Sequence, residues 1–211
     1  MMPRIDDYNN AVALGKEELR KKNPGRIATL SGGAIAEEGG ITPSLILPFL
    51  NRQVVIKWPE LDCLYKESGE EVPVQQQVLI FHYLNGANGL NPTGQWIAYQ
   101  EVPDGRFYLD AFLRRAKNPM VQVFGSAPEK LMDLAVQVYG AVPFDQGDLS
   151  VTLHAFPLVP VALILWKGDD EFPPEGTILF DRTIYSMLSA EDIAWLAGMI
   201  IYPLMGMAKN K

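Results

Sequence analysis

The spacing of apolar positions divides the first third of the chain into one helix and several short strands. Asp6 or Asp7 is expected to cap a helix that runs to about residue 22, where Asn23-Pro24-Gly25 gives a stop signal. Beyond it, short apolar runs are separated by Gly and Pro, a pattern typical of strands. The predicted strands are 27–30, 44–50, 53–57 and 62–65.

The middle of the chain favours helices. Pro73 opens a predicted helix over 74–84, and its second half is apolar on every side, as in a core helix. After a predicted strand at 95–100, a helix is expected over 108–117 and should end at Asn118-Pro119. Ser126 is expected to cap the next helix, which should stop at Gly140.

The last third contains the most informative pattern. Residues 149–156 alternate as a strand, which places His154 on the face opposite the apolar positions, either solvated or only partly covered. Residues 161–166 are apolar on both faces, so they predict a central strand that is covered on two sides. Ser189 then begins a final helix with an acidic first turn. These elements indicate an α+β fold.

The sequence predicts a mixed, largely antiparallel sheet with four or five helices packed on it. A length of 211 residues suits one domain with a small appendage. The expected organisation is an N-terminal helix, residues 1–25, packed on a single α+β domain of residues 26–211.

Composition limits the function. The net charge of −7 makes the protein acidic and argues against nucleic-acid binding, which needs a basic surface. The longest late uncharged run, 193–207, is shorter than the ~20 residues that cross a bilayer, so no membrane span is expected. The N-terminus lacks the apolar core of a signal peptide. A soluble, cytoplasmic protein is the expectation.

No catalytic set is recognisable. The chain has two histidines and no Gly-x-Ser-x-Gly elbow. Cys63, the single cysteine, excludes an internal disulfide, and its acidic neighbours Glu60 and Asp62 would raise its pKa. No catalytic residue and no metal ligand set is therefore assigned.

The most site-like stretch follows the central strand, where three carboxylates precede Pro173-Pro174. Ligands of α/β sheets gather beyond strand ends, and the prolines should hold the loop rigid. Three interpretations stay open: an exposed acidic turn, a site for a cation or a cationic group of a ligand, or carboxylates for acid–base catalysis.

Three other side chains each have two interpretations. His82 either hydrogen-bonds a core carbonyl or contacts a ligand. Trp96 and Trp166 either seal the edge of the core or form the wall of a flat pocket.

Several segments follow one another in a characteristic order: Phe81-His82-Tyr83-Leu84, Gly94-Gln95-Trp96-Ile97, Glu101-Val102-Pro103-Asp104-Gly105, Pro157-Leu158-Val159-Pro160-Val161, Leu165 to Pro174, Leu179-Phe180-Asp181 and Glu191-Asp192. In this order they resemble an uncharacterised domain family of anaerobic bacteria and archaea, domain of unknown function 3786. The resemblance covers roughly 25–204. It implies a cytoplasmic protein near redox or one-carbon metabolism that uses corrinoid, tetrapyrrole or folate-like cofactors. The chain resembles the stand-alone form, without the cysteine-rich iron–sulfur segment of other members.

Three functional hypotheses follow. The leading one is a non-catalytic accessory protein that binds a small molecule or cofactor, with a tetrapyrrole or corrinoid among the candidate ligands. The second is an enzyme that uses carboxylates of the 169–171 loop with His82, and the third is an adaptor for a redox partner protein through the C-terminal helix. The ligand pocket of the leading hypothesis is lined by His82, Tyr83, Trp96, Trp166, Asp169, Asp170 and Glu171.

Overall fold

A computed structural model describes residues 5–38 and 42–209. Its internal packing divides the chain into two compact units. The first contains the described residues up to Asn91 together with 156–158 and 186–188. The second contains 92–155, 159–185 and the described residues from Ser189 onward. The expected division into a helix at 1–25 and one domain at 26–211 stays a prediction.

The first unit combines three helices with a four-stranded antiparallel sheet. Its elements are α1 (Ile5–Arg20), α2 (Pro24–Ser31), β1 (Ala34–Glu38), β2 (Thr42–Phe49), β3 (Arg52–Lys57), β4 (Asp62–Tyr65) and α3 (Val74–Gly86). The strands pair in sequence order. Helix α1 packs closely on α3, because Gly15 has no Cβ: one placed there would lie 2.9 Å from the Phe81 Cβ.

The second unit has a five-stranded sheet and four α-helices among its described residues. Its elements are β5 (Trp96–Ala98), α4 (Gly105–Phe112), α5 (Asn118–Phe124), α6 (Pro128–Tyr139), β6 (Val142–Pro143), β7 (Leu149–Phe156), β8 (Val159–Trp166), β9 (Glu175–Asp181) and α7 (Ala190–Lys209). The strand order is β5-β9-β8-β7-β6, so β8 is central. Every residue of β8 from Val159 to Leu165 is buried, which confirms the predicted central strand.

The α+β class is confirmed, and the strands form two antiparallel sheets where one mixed sheet was the expectation. Apolar alternation identifies a strand but carries no information on which strand it pairs with, so the partition into two sheets is not visible in it. His154 is exposed on β7, as predicted. In the described part of the chain no helix is long and apolar enough to cross a membrane.

The predicted strand at 27–30 is wrong, because these residues belong to helix α2. Asn23 is the N-cap: its side-chain Oδ1 accepts a hydrogen bond from the Arg26 amide at 3.0 Å. Pro24 occupies the first turn, and Gly32 ends the helix in the left-handed conformation, with φ 71°. Asn23-Pro24-Gly25, predicted as the stop signal of α1, is therefore also the start of α2.

Replacing Asn23 with Ala should lower the free energy of unfolding by about 1 kcal/mol, because the first turn of α2 loses its side-chain acceptor. Urea unfolding of the wild type and the variant measures the difference. Asn23→Ser is the matched control, since serine is an equally good N-cap and should restore most of the stability. Equal stability of Asn23→Ala and wild type would mean that this cap contributes nothing.

The helix expected to end at Asn118-Pro119 continues instead. A π-helical turn at Leu113–Lys117 joins α4 to α5, and Pro119 lies in the first turn of α5. The Asn118 amide bonds to the Leu113 carbonyl, and this wider π-type turn lets the helix continue past a proline that donates no amide hydrogen bond. The residue before α6 is Ala127, so the predicted cap at Ser126 is also wrong. Ser126 is exposed at the α5–α6 junction.

Candidate functional site

An open cleft of about 480 Å³ lies in the second unit, where the chain leaves β8. One wall is the segment from Lys167 to Pro174, which contains the three consecutive carboxylates. The other is formed by Gly125 and Ser126, between α5 and α6. We call residues 167–174 the acidic loop. The sequence predicts this loop as the place for a ligand, but its opposite wall is not visible in the sequence.

Hydrogen bonds to one carboxylate fix the acidic loop. Asp169 Oδ1 accepts from the amides of Phe172 at 2.7 Å and Glu171 at 2.8 Å, and the Asp169 amide donates to the Phe172 carbonyl at 2.9 Å. The bonds from Phe172 and Glu171 hold the pKa of Asp169 below its ordinary value. Asp169 therefore shapes the turn as a carboxylate and is unsuited to donate a proton near neutral pH.

Close backbone packing also limits movement of the acidic loop. A Cβ added at Gly168 would lie 2.7 Å from the Pro174 nitrogen, and one added at Gly125 would lie 2.8 Å from the Pro174 Cβ. Pro174 thus packs on Gly168 of its own loop and on Gly125 of the opposite wall, and the fixed proline φ adds to this constraint. These contacts agree with the rigid loop that the double proline predicts.

The cleft carries excess negative charge. Lys167 pairs with Glu129 at the start of α6, with 2.5 Å between Nζ and Oε1, so its positive charge is already matched. Asp170 and Glu171 are exposed and form no ion pair within the described residues. Phe172, which follows them, is 67% exposed. The cleft can therefore offer two carboxylates and an aromatic face to a ligand.

The two tryptophans of the predicted pocket contact one loop after β6. Trp96 lies with its ring centroid 5.2 Å from that of Phe144. Trp166 is 40% exposed, and a Cβ at Gly147 would be 3.3 Å from its Cε2. Both belong to the second unit, and neither lines the cleft. Their part in ligand binding stays a prediction.

His82 and Tyr83 lie in α3 of the first unit. Tyr83 is fully buried, stacks on Phe156 with 4.1 Å between ring centroids, and donates its hydroxyl to the Ser31 carbonyl at 2.7 Å. Burial raises the pKa of this hydroxyl. His82 is half-buried and interacts with a neighbour. The structure thus gives Tyr83 a packing role, and a pocket that these two share with the tryptophans stays a prediction.

The family model for the Domain of unknown function (DUF3786) matches residues 23–202. The chain belongs to the DUF3786 family. The matched segment begins at the N-cap of α2, ends within α7 and includes the whole acidic loop. Comparisons with curated proteins and with solved structures return no match.

A buried carboxylate organises the loop before β5 of the DUF3786 domain. Asp181, 1% exposed at the end of β9, accepts hydrogen bonds from the Gly94 amide at 2.7 Å and from the Thr183 amide and hydroxyl at 3.0 and 2.8 Å. The Thr93 hydroxyl adds weaker contacts at 3.4 Å. Burial alone would raise the pKa of Asp181, but these bonds outweigh it and hold the pKa below its ordinary value.

The enzyme and adaptor hypotheses both stay predictions, and three groups of residues bear on them. The three carboxylates of the acidic loop are exposed, and the described residues contain no group of three or more His, Cys, Asp or Glu that could hold a metal. Burial raises the pKa of the Cys63 thiol to about 12, so the thiolate nucleophile is scarce. Ile200 and Leu204 are fully buried in the α7 packing.

Proposed function

We propose that this DUF3786 protein is a non-catalytic accessory protein that binds a small molecule or cofactor through a positively charged group. The observation that supports it is the cleft, where Asp170 and Glu171 stand exposed beside Phe172 on a loop with a fixed backbone. A preformed loop favours binding, because less conformational entropy is lost when the ligand arrives.

The chemistry of the cleft suits an organic ammonium group. A carboxylate accepts short, charge-assisted hydrogen bonds from such a group, and an exposed phenyl ring attracts the same charge through its π face. A compact metal ion fits less well, since it needs several oxygens converging on one point. A flat or chain-like amine can instead contact Asp170, Glu171 and Phe172 at separate points along its length.

The proposal extends to the setting implied by the family resemblance. The protein would act in the cytoplasm of an anaerobe, near redox or one-carbon metabolism, and a tetrapyrrole or corrinoid would be the cofactor alternative to a simple amine. Trp96 and Trp166, which belong to the same unit as the cleft, would then contribute to the same ligand only if it extends beyond the cleft.

Removing the two free carboxylates should weaken amine binding. Benzylamine is a suitable probe, because it offers an ammonium group and an aromatic ring. Its affinity for the double variant Asp170→Asn/Glu171→Gln should be about tenfold or more below its affinity for the wild type. Isothermal titration calorimetry measures both affinities. The control Asp133→Asn/Asp145→Asn makes the same change in net charge at exposed positions outside the cleft and should bind like wild type.

A ligand acquired in the cell should be visible directly. Protein purified anaerobically from its own host should show an added mass in native mass spectrometry, and a tetrapyrrole or corrinoid would add visible absorption bands. The proposal is wrong if the protein carries no added mass and benzylamine binds neither wild type nor variant. If the Asp170→Asn/Glu171→Gln variant binds benzylamine as tightly as the Asp133→Asn/Asp145→Asn control, the amine site lies outside the cleft.

A further inference from the structure

A second cavity, in the first unit, has a different chemical character. It is a groove of about 370 Å³ between α1 and the start of α3. Its lining contains one lysine, one glutamate and two amide side chains, and the rest is aliphatic. A mixed lining of this kind, with a few polar groups of both signs on an apolar wall, is typical of small-molecule sites.

A buried amide supplies a fixed acceptor in the groove. Gln77 is only 3% exposed, and its Nε2 donates to Glu71 Oε1 at 3.0 Å and to the Val72 carbonyl at 2.7 Å. These two bonds set the orientation of the amide, and the described residues give its Oε1 no hydrogen-bond donor. An acceptor with a fixed direction in a cavity wall, used by no donor of the described residues, is available to a ligand that brings one.

The start of α3 supplies positive potential to the same groove. Pro73 precedes the helix, no side chain caps it, and its first turn has no acidic residue. The amides of Val74 and Gln75 therefore lack acceptors within the described chain, and the helix dipole makes this end attractive to an anion. Lys16 also lines the groove; it has no carboxylate partner among the described residues, and its Nζ lies 5.7 Å from the Phe81 ring centroid.

We propose that this groove binds a free aliphatic α-amino acid as its zwitterion. The ligand carboxylate is held by Lys16 and the amides at the start of α3. The ammonium group donates to Gln77 Oε1 and pairs with Glu71. The side chain packs on an aliphatic wall formed by Val12, Val72 and Val74. The proposal does not depend on the cleft, which belongs to the other unit.

Calorimetry on the full-length wild-type protein tests the proposal with three probes. L-valine carries both charged groups, isobutylamine lacks the carboxylate, and isovalerate lacks the amine. L-valine should bind, and each analogue should bind about tenfold or more weakly, because each leaves one set of charged contacts empty. No heat from L-valine up to about 10 mM overturns the proposal, as does equal affinity for either analogue.

Variants locate the binding. Lys16→Met keeps a long apolar stem and removes the charge, so it should weaken L-valine about tenfold while isobutylamine, which makes no use of Lys16, changes little. Lys57→Met, at an exposed position on β3, is the control for net charge. Thermal unfolding confirms that both variants are folded. Unchanged L-valine affinity in folded Lys16→Met would overturn the assignment of this groove.

Discussion

Replacing Asp181 with Ala is expected to lower the free energy of unfolding by about 3 kcal/mol. Alanine leaves the Gly94 amide and the Thr183 amide and hydroxyl without their acceptor, and all three bonds are partly buried. Each lost hydrogen bond to a charged acceptor is expected to cost about 1 kcal/mol, because water replaces it only in part at such positions. Urea unfolding at pH 7 measures the loss, and Asp170→Ala, which removes an exposed carboxylate, should stay within about 0.5 kcal/mol of wild type.

The same carboxylate should make stability depend on pH. Its folded-state pKa is lowered, so its contribution is fully present above the unfolded value of about 3.9 and is lost as the pH falls through the folded pKa. The stability difference between wild type and Asp181→Asn should therefore shrink on going from pH 7 toward about pH 3. A difference that stays constant over that range would show that the charge of Asp181 contributes nothing.

The elements that the sequence predicts well are those in which pattern and environment agree. Strand β8 is apolar on both faces, and only a central strand covered on two sides can bury both, so the pattern leaves one interpretation. The Ser189–Asp192 capping box at the start of α7 is equally explicit: each residue binds the other's amide, as the acidic first turn predicts.

Other elements depend on local chemistry that the apolar pattern does not carry. The run 27–30 is too short for its periodicity to separate strand from helix, and the N-cap at Asn23 decides the outcome. At Asn118-Pro119 the π-helical turn lets the helix continue through residues that usually stop one. Both errors come from reading Asn-Pro as an end when it also serves as a beginning.

The candidate site was predictable only in part, for a related reason. The acidic loop is local in sequence, so its charge and rigidity can be read directly. The wall formed by Gly125 and Ser126 comes from a distant segment, and the groove of the first unit likewise combines Lys16 of α1 with Gln77 of α3. Sites assembled from separate segments require the tertiary structure.

Replacing Gly147 with Ala should lower the free energy of unfolding by about 2–4 kcal/mol, through two separable effects. Gly147 has φ 64°, a left-handed conformation that alanine adopts only with strain. An added Cβ would also lie 2.7 Å from the Ile164 Cγ2 and 2.9 Å from the Leu165 carbonyl oxygen, so the loop would have to move away from β8. Urea unfolding of the wild type and the variant measures the total.

Gly140→Ala separates the two effects. Gly140 has φ 61°, so alanine meets the same backbone strain, but nothing lies within 4 Å of the added Cβ. Its loss should be about 1 kcal/mol, and the excess loss at Gly147 measures the close packing of the loop on β8. Equal losses at the two glycines would contradict the close packing of this loop on the end of the central strand.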